Sequence, residues 1–224
     1  FYEEGRPNVD QNMEKAAHFY RKASEHQSEQ SMLKYAVMLN NGIGVHKDVN
    51  EAKLLFKKLA DKGDEKSMME YAMIAEKNDN NIQEALFYYI KAASIGQNNS
   101  SAYYNSGRML ELLSNKENPP NEEEMKNAAV NYKTAADMGD NNAMFRYAMC
   151  LTNGQGVQKN LVMAYKYLRK ASKTGNVEAI SHAGIALKDG VGVTQDLEQA
   201  EQLFKQGAEA GDPVSMTNYA IFLL

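Results

Sequence analysis

One alanine recurs along the chain at a near-constant interval. Ala16, Ala52, Ala85, Ala128, Ala164 and Ala200 are separated by steps of 36, 33, 43, 36 and 36 residues. A period of this length marks stacked supersecondary units rather than a single globule. Four residues after each alanine stands a large apolar group: Tyr20, Phe56, Tyr89, Tyr132, Leu168 and Phe204. Four residues before most of them stands a capping type, Asn12, Asp48, Asn81, Asn160 and Asp196, with Glu124 at that place in the third unit. Asn and Asp side chains there can accept the free N–H groups of a first helical turn. Gly63, Gly96, Gly139, Gly175 and Gly211 close five units and suit the left-handed position that ends a helix.

A second signature keeps the same beat. It reads Tyr35-Ala36, Tyr71-Ala72, Ser106-Gly107, Tyr147-Ala148, Ala183-Gly184 and Tyr219-Ala220. The small residue in all six copies lets two helices approach closely. In its first copy Met32, Tyr35, Ala36 and Leu39 fall at i, i+3, i+4 and i+7, one apolar helix face. Three units then carry a Gly-x-Gly-Val loop: Gly42 to Val45, Gly154 to Val157 and Gly190 to Val193. The glycines permit positive φ, and the valine is expected to plug the gap between the two helices. Each unit reads as helix A, loop, helix B and glycine turn.

These residues resemble the Sel1-like repeat, a relative of the tetratricopeptide repeat, over nearly the whole chain. The resemblance implies an all-α fold, a right-handed α-solenoid of stacked antiparallel helix pairs. Residues 1–224 are expected to form a single array of about five full repeats starting near 31, 67, 102, 143 and 179, with partial repeats at both ends. The second unit lacks the glycine loop. The third replaces it with an insertion at 114–121 containing Pro119-Pro120, which stops a helix and reads as a surface loop. The final stretch, Ala220 to Leu224, is an apolar helix A with no helix B after it in the sequence.

Composition bears on function mainly by exclusion. One Cys, Cys150, cannot form an intrachain disulfide or a cysteine zinc site. A net charge of −4 gives no bulk field for nucleic acid. No run of 18 apolar residues exists, so no segment of the sequence is expected to insert in a membrane. The chain opens on Phe1 with no initiator Met and no leader pattern, which suggests an excised or processed stretch. Cytoplasm and endoplasmic-reticulum lumen both remain open. A mean hydropathy of −0.58 beside 43% hydrophobic residues suits units that each bury a narrow seam.

By analogy with tetratricopeptide geometry, a second face of helix A should line a concave groove. The candidates for partner binding are Leu33, Val37 and Asn40; Met69, Met73 and Glu76; Tyr104 and Arg108; Phe145, Arg146 and Met149; and Ile185 and Lys188. Met-rich, aromatic surfaces adapt to varied apolar ligands, so a protein or peptide partner is expected there. The seam methionines, Met32, Met68, Met144 and Met216, are expected in the core instead.

Catalytic patterns fail by comparison. His18, His26, His46 and His182 are scattered, with no second ligand at helical spacing, so no metal or cofactor is expected. Cys150 occupies an apolar slot and reads as a buried small hydrophobe. Ser31-x-x-Lys34, Tyr103-x-Asn105 and Lys173-Thr174-Gly175 imitate the set of penicillin-recognising acyltransferases. The repeat explains all three matches, so a hydrolase of cell-wall substrates is the weakest reading. A protein-binding scaffold is the strongest, and a homodimer through the uncovered terminal repeat is the alternative.

Overall fold

The computed structural model describes residues 12–96, 98–116 and 119–224. Residues 1–11, Gln97, and Glu117 and Asn118 of the insertion lie outside the described residues. Among the described residues the protein is all α, with twelve helices and no strand. The helices are α1 (Met13–Glu25), α2 (Glu29–Asn41), α3 (Val49–Asp61), α4 (Glu65–Lys77), α5 (Ile82–Ile95) and α6 (Ser100–Ser114). They continue as α7 (Glu122–Asp137), α8 (Asn141–Asn153), α9 (Leu161–Lys173), α10 (Val177–Asp189), α11 (Leu197–Glu209) and α12 (Pro213–Phe222). Even-numbered helices are the A helices of the sequence pattern and odd-numbered ones the B helices. Two compact units divide the chain, Phe1–Gln97 with α1–α5 and Asn98–Leu224 with α6–α12. Within each unit, every helix packs on its sequence neighbours.

Capping explains where the helices start. Asn12, Asp48, Asn81, Asn160 and Asp196 each accept a backbone N–H of the first turn of their B helix. The third repeat differs from the expected position at Glu124. Its cap is Asn121, which accepts from the amides of Glu123 and Glu124 at 3.1 Å. α7 therefore begins nearly a turn earlier and runs 16 residues, against 13 for α9. The A helices have caps of their own: Ser28, Asp64, Asn99, Asp140, Asn176 and Asp212. Each cap lies one residue before its helix, so the A helices open two residues before the unit boundaries read from the sequence. Asn99, part of a glycosylation-type triplet, is committed to this role and accepts from Ala102 N at 2.9 Å.

The helix ends divide the glycines into two kinds. Gly63, at φ 100°, donates to Ala60 O, and Asp64 N donates to Leu59 O, both at 3.1 Å. This paired closure satisfies two carbonyls that the helix leaves free. Gly139, Gly175 and Gly211 share the positive φ, but Gly96 departs from the expectation, with φ −78°. A Cβ at Gly96 would lie 2.6 Å from Glu65 Oε1, the mobile end of a long side chain that can move aside, so neither backbone conformation nor a fixed wall requires glycine there.

The recurring alanines are buried, and Phe56, Tyr89, Tyr132 and Phe204 beside them are fully so. Burying each such side chain contributes about 1.5–3 kcal/mol. Val45 packs on Ala16, Ala17 and Met38, and Val193 on Leu187, Ala200 and Phe204. The loop valine thus wedges between an A helix and a B helix, which is the preceding B helix for Val45.

α12 breaks the pattern. Its seam residues Met216 and Leu223 are 47% and 65% exposed, where Ile180 and Leu187 at the same places in α10 are each 2% exposed. Met216 is therefore not the core residue that its slot implies, and Met144 is only half-buried. Among the described residues, no helix is long and apolar enough to cross a membrane.

Candidate functional site

The candidate side chains stand on five A helices, on a face about 100° round from the buried seam. In the first unit Leu33, Val37 and Asn40 lie on α2, and Met69, Met73 and Glu76 on α4. All six are half-buried. Glu76 closes the face by accepting from the Tyr89 hydroxyl at 3.1 Å. The neighbouring Glu70 carboxyl is pushed above the usual carboxylate range by burial, partly offset by Lys77. A half-buried carboxyl beside Met69 and Met73 gives this face one titratable edge.

In the second unit the face is continuous across α6, α8, α10 and α12. On α6, Arg108 Nη1 donates to Asn105 Oδ1 at 2.9 Å and lies over the Tyr104 ring, 6.0 Å from its centroid. Glu111 accepts from the Tyr132 hydroxyl at 2.5 Å and meets Arg146 of α8 at 3.8 Å. Burial and then this bond to Glu111 hold the Tyr132 phenol well above its ordinary range, so it stays a donor. Phe145 of α8 meets the His182 ring of α10 edge-on, with centroids 5.2 Å apart. Lys188 Nζ donates to Asn218 of α12 at 3.0 Å.

Behind His182 and Ile185 lies an apolar cavity of about 120 Å³, lined also by Thr152, Tyr165, Leu168 and Val191. At about 30 Å³ of liquid volume per water, it has the dimensions of an aliphatic side chain. Of the expected residues, Arg146 is exposed while the rest are half-buried. Ser181, which shares their register, is buried and bonds Glu178 O within its own helix, so it leaves the face. His182, Thr152 and Tyr165 complete the cavity. Helix register places His182 beside Ile185, whereas its contact with Phe145 of α8 is tertiary, and Tyr165 comes from α9 and had no signal in the sequence.

The other chemistries read from the sequence do not assemble. Among the described residues no three His, Cys, Asp or Glu side chains are grouped to hold a metal ion. Cys150 is buried, and desolvation pushes its thiol up to about 12. A thiol that far above neutrality carries almost no thiolate. Lys173-Thr174-Gly175 closes α9, with Gly175 at φ 89°, instead of forming the strand that the acyltransferase set requires.

Comparison with known proteins agrees with this architecture. The Sel1 repeat matches residues 1–28, 29–64, 76–97, 141–176 and 177–212. A Sel1 repeat protein from Oxalobacter formigenes is 26% identical, over 93% of this chain and 84% of that one, with a TM-score of 0.72. A protective antigen of uropathogenic Escherichia coli displaying an SLR fold is 25% identical, with a TM-score of 0.56. The match covers 98% of this chain but only 54% of the antigen. YrrB, described as a TPR protein with an unusual peptide-binding site, shares the fold at 18% identity and a TM-score of 0.61, over 90% of this chain and 98% of that one. No curated protein sequence matches. Both the periodic match and the helix-pair packing lead to one assignment: the chain belongs to the Sel1 repeat family.

Proposed function

We propose that the protein is a non-enzymatic interaction scaffold whose A-helix face holds a protein or peptide partner. The family's fold is commonly a protein-protein interaction scaffold and typically non-catalytic. The observation that carries the reading is the apolar cavity of about 120 Å³ lined by His182 and Ile185, with Phe145 packed edge-on against His182. It is a preformed socket for one apolar anchor, and such buried anchors dominate binding energy. Half-buried Met69, Met73 and Met149 offer adaptable apolar surface in both units. The peptide-binding site named for YrrB is an analogy of fold.

Replacing Met69, Met73, Phe145 and Met149 together by serine should abolish partner capture and leave helicity intact, because none of the four is in the fully buried core. Affinity capture with cross-linking, read beside circular dichroism, tests this. Capture that survives all four changes would show the face to be wrong.

A further inference from the structure

α9 carries four cations within two turns. Lys166, Arg169, Lys170 and Lys173 stand at i, i+3, i+4 and i+7, and the helix contains no acidic residue, although the chain's net charge is −4. All four are exposed, and none forms an ion pair among the described residues. Met163 and the edge of the Tyr167 ring share this open helix face with them. Lys170 lies over the Tyr167 ring, 5.4 Å from its centroid. The carboxylate facing it from α7, Asp137, is already engaged. It accepts from Lys133 Nζ at 2.8 Å and from the Tyr167 hydroxyl at 3.0 Å. On α11, 36 residues after Arg169, stands another exposed cation, Lys205, and the carboxylates of that helix are Glu198, Glu201 and Glu209.

We propose that this outer face of α9 is a second binding surface, independent of the A-helix face, and that it takes an extended acidic segment of a partner protein. The four cations span about 10 Å along the helix axis at 1.5 Å per residue. A single phosphate is too short to meet them all, whereas about three residues of extended chain cover that length at about 3.3 Å each. Arg169 presents a fork matched to one carboxylate, and the lysines supply point charges on either side. Met163, the Tyr167 ring and the lysine stems give the segment's backbone an apolar floor. A bilayer surface spreads its phosphates over a plane, whereas these four cations stand in one stripe along a single helix. Duplex phosphates on either side of it would meet Asp137 and Glu209.

The test uses a fluorescein-labelled peptide of alternating Glu and Asp, with its Gln/Asn counterpart as control, followed by anisotropy. The acidic peptide should bind the chain and the neutral one should not. Binding should fade as ionic strength rises from about 0.15 M to about 1 M, where the Debye length shrinks from about 8 Å to about 3 Å. Lys166→Glu with Arg169→Glu should weaken binding about tenfold or more with the circular dichroism spectrum unchanged. Lys166→Gln with Arg169→Gln, which tests the site without charge reversal, should weaken it less. The quadruple serine variant of the A-helix face should bind the peptide as wild type does. Four results would overturn the proposal: no binding of the acidic peptide at low salt, equal binding by the reversal variant, loss of binding in the serine variant, or capture of phosphatidylserine vesicles or duplex DNA without capture of the peptide.

Discussion

Replacing Gly156 by alanine should destabilise the second unit by about 2–4 kcal/mol, whereas the same change at Gly175 should cost only about 1 kcal/mol. Both residues have positive φ, 67° and 89°. The strain of placing a Cβ in that conformation is therefore common to the two. The surroundings differ. A Cβ on Gly156 would stand 2.1 Å from Met125 O and 2.4 Å from Met125 C, in the first turn of α7. That carbonyl is backbone and belongs to a capped helix, so it cannot swing aside as a side chain would. Relief requires either the loop or the start of α7 to move, and with it the contact that joins two repeats. Around Gly175 nothing lies within 4 Å. The same geometry recurs at Gly44 against Met13 O and at Gly192 against Leu161 O, each 2.2 Å away. The second glycine of each loop is thus where a repeat touches the helix before it. Urea unfolding of the two variants, with amide exchange to locate the loss in α7–α9, measures the difference. Equal costs would mean that the backbone wall yields freely.

Phe204→Ala should cost about 3–5 kcal/mol, the range for removing a large aromatic from a closed core. Phe204 is fully buried, packs with Leu187 and Ala200, and lies 5.9 Å from the Phe222 ring between centroids. Its ring edge also explains Gly184, where an added Cβ would fall 2.7 Å from Phe204 Cε1. Gly184→Ala alone should therefore overpack the site and cost about 1–3 kcal/mol. Gly184→Ala combined with Phe204→Leu should cost less than the sum of the two single changes, since the smaller side chain vacates the space that the new methyl needs. Because each repeat touches only its neighbours, amide protection should fall first in α10–α12. Uniform loss of protection from α6 to α12 would argue that the second unit folds as one block. Thermal unfolding of the three variants, arranged as a cycle, gives the coupling directly.

Much of the fold was legible because repetition supplies its own control. A residue type at Ala52 means little alone, but the same slot filled at Ala16, Ala85, Ala128, Ala164 and Ala200 fixes helix register. Where a unit departs from the others, the control weakens. Glu124 sits where the other units have a cap, and the true cap, Asn121, lies three residues earlier within the insertion. The A-helix caps were as visible as the B-helix ones, since Ser28, Asp64, Asn99, Asp140, Asn176 and Asp212 keep the same beat, and the sequence pattern as drawn passed over them. Gly96 looked like its counterparts but keeps a negative φ of −78°, so it does not end its helix in their left-handed way.

The candidate site was legible only as a register. Helix period places Phe145, Met149 and Ile185 on one face of their helices. It says nothing of the volume left between α8, α9 and α10, which depends on how closely small residues let those helices approach. The cavity behind His182, the spare charge on α9 and the exposure of Met216 are all consequences of which neighbour covers which face. Taken alone, the sequence determined the repeat, the helix order, most of the caps and the set of seam residues, because these follow from spacing along one chain and from backbone hydrogen bonding within a turn. The tertiary structure decided which glycines face a backbone wall, which methionines are covered and where a hollow remains, because contact between helices depends on distances that periodicity does not carry.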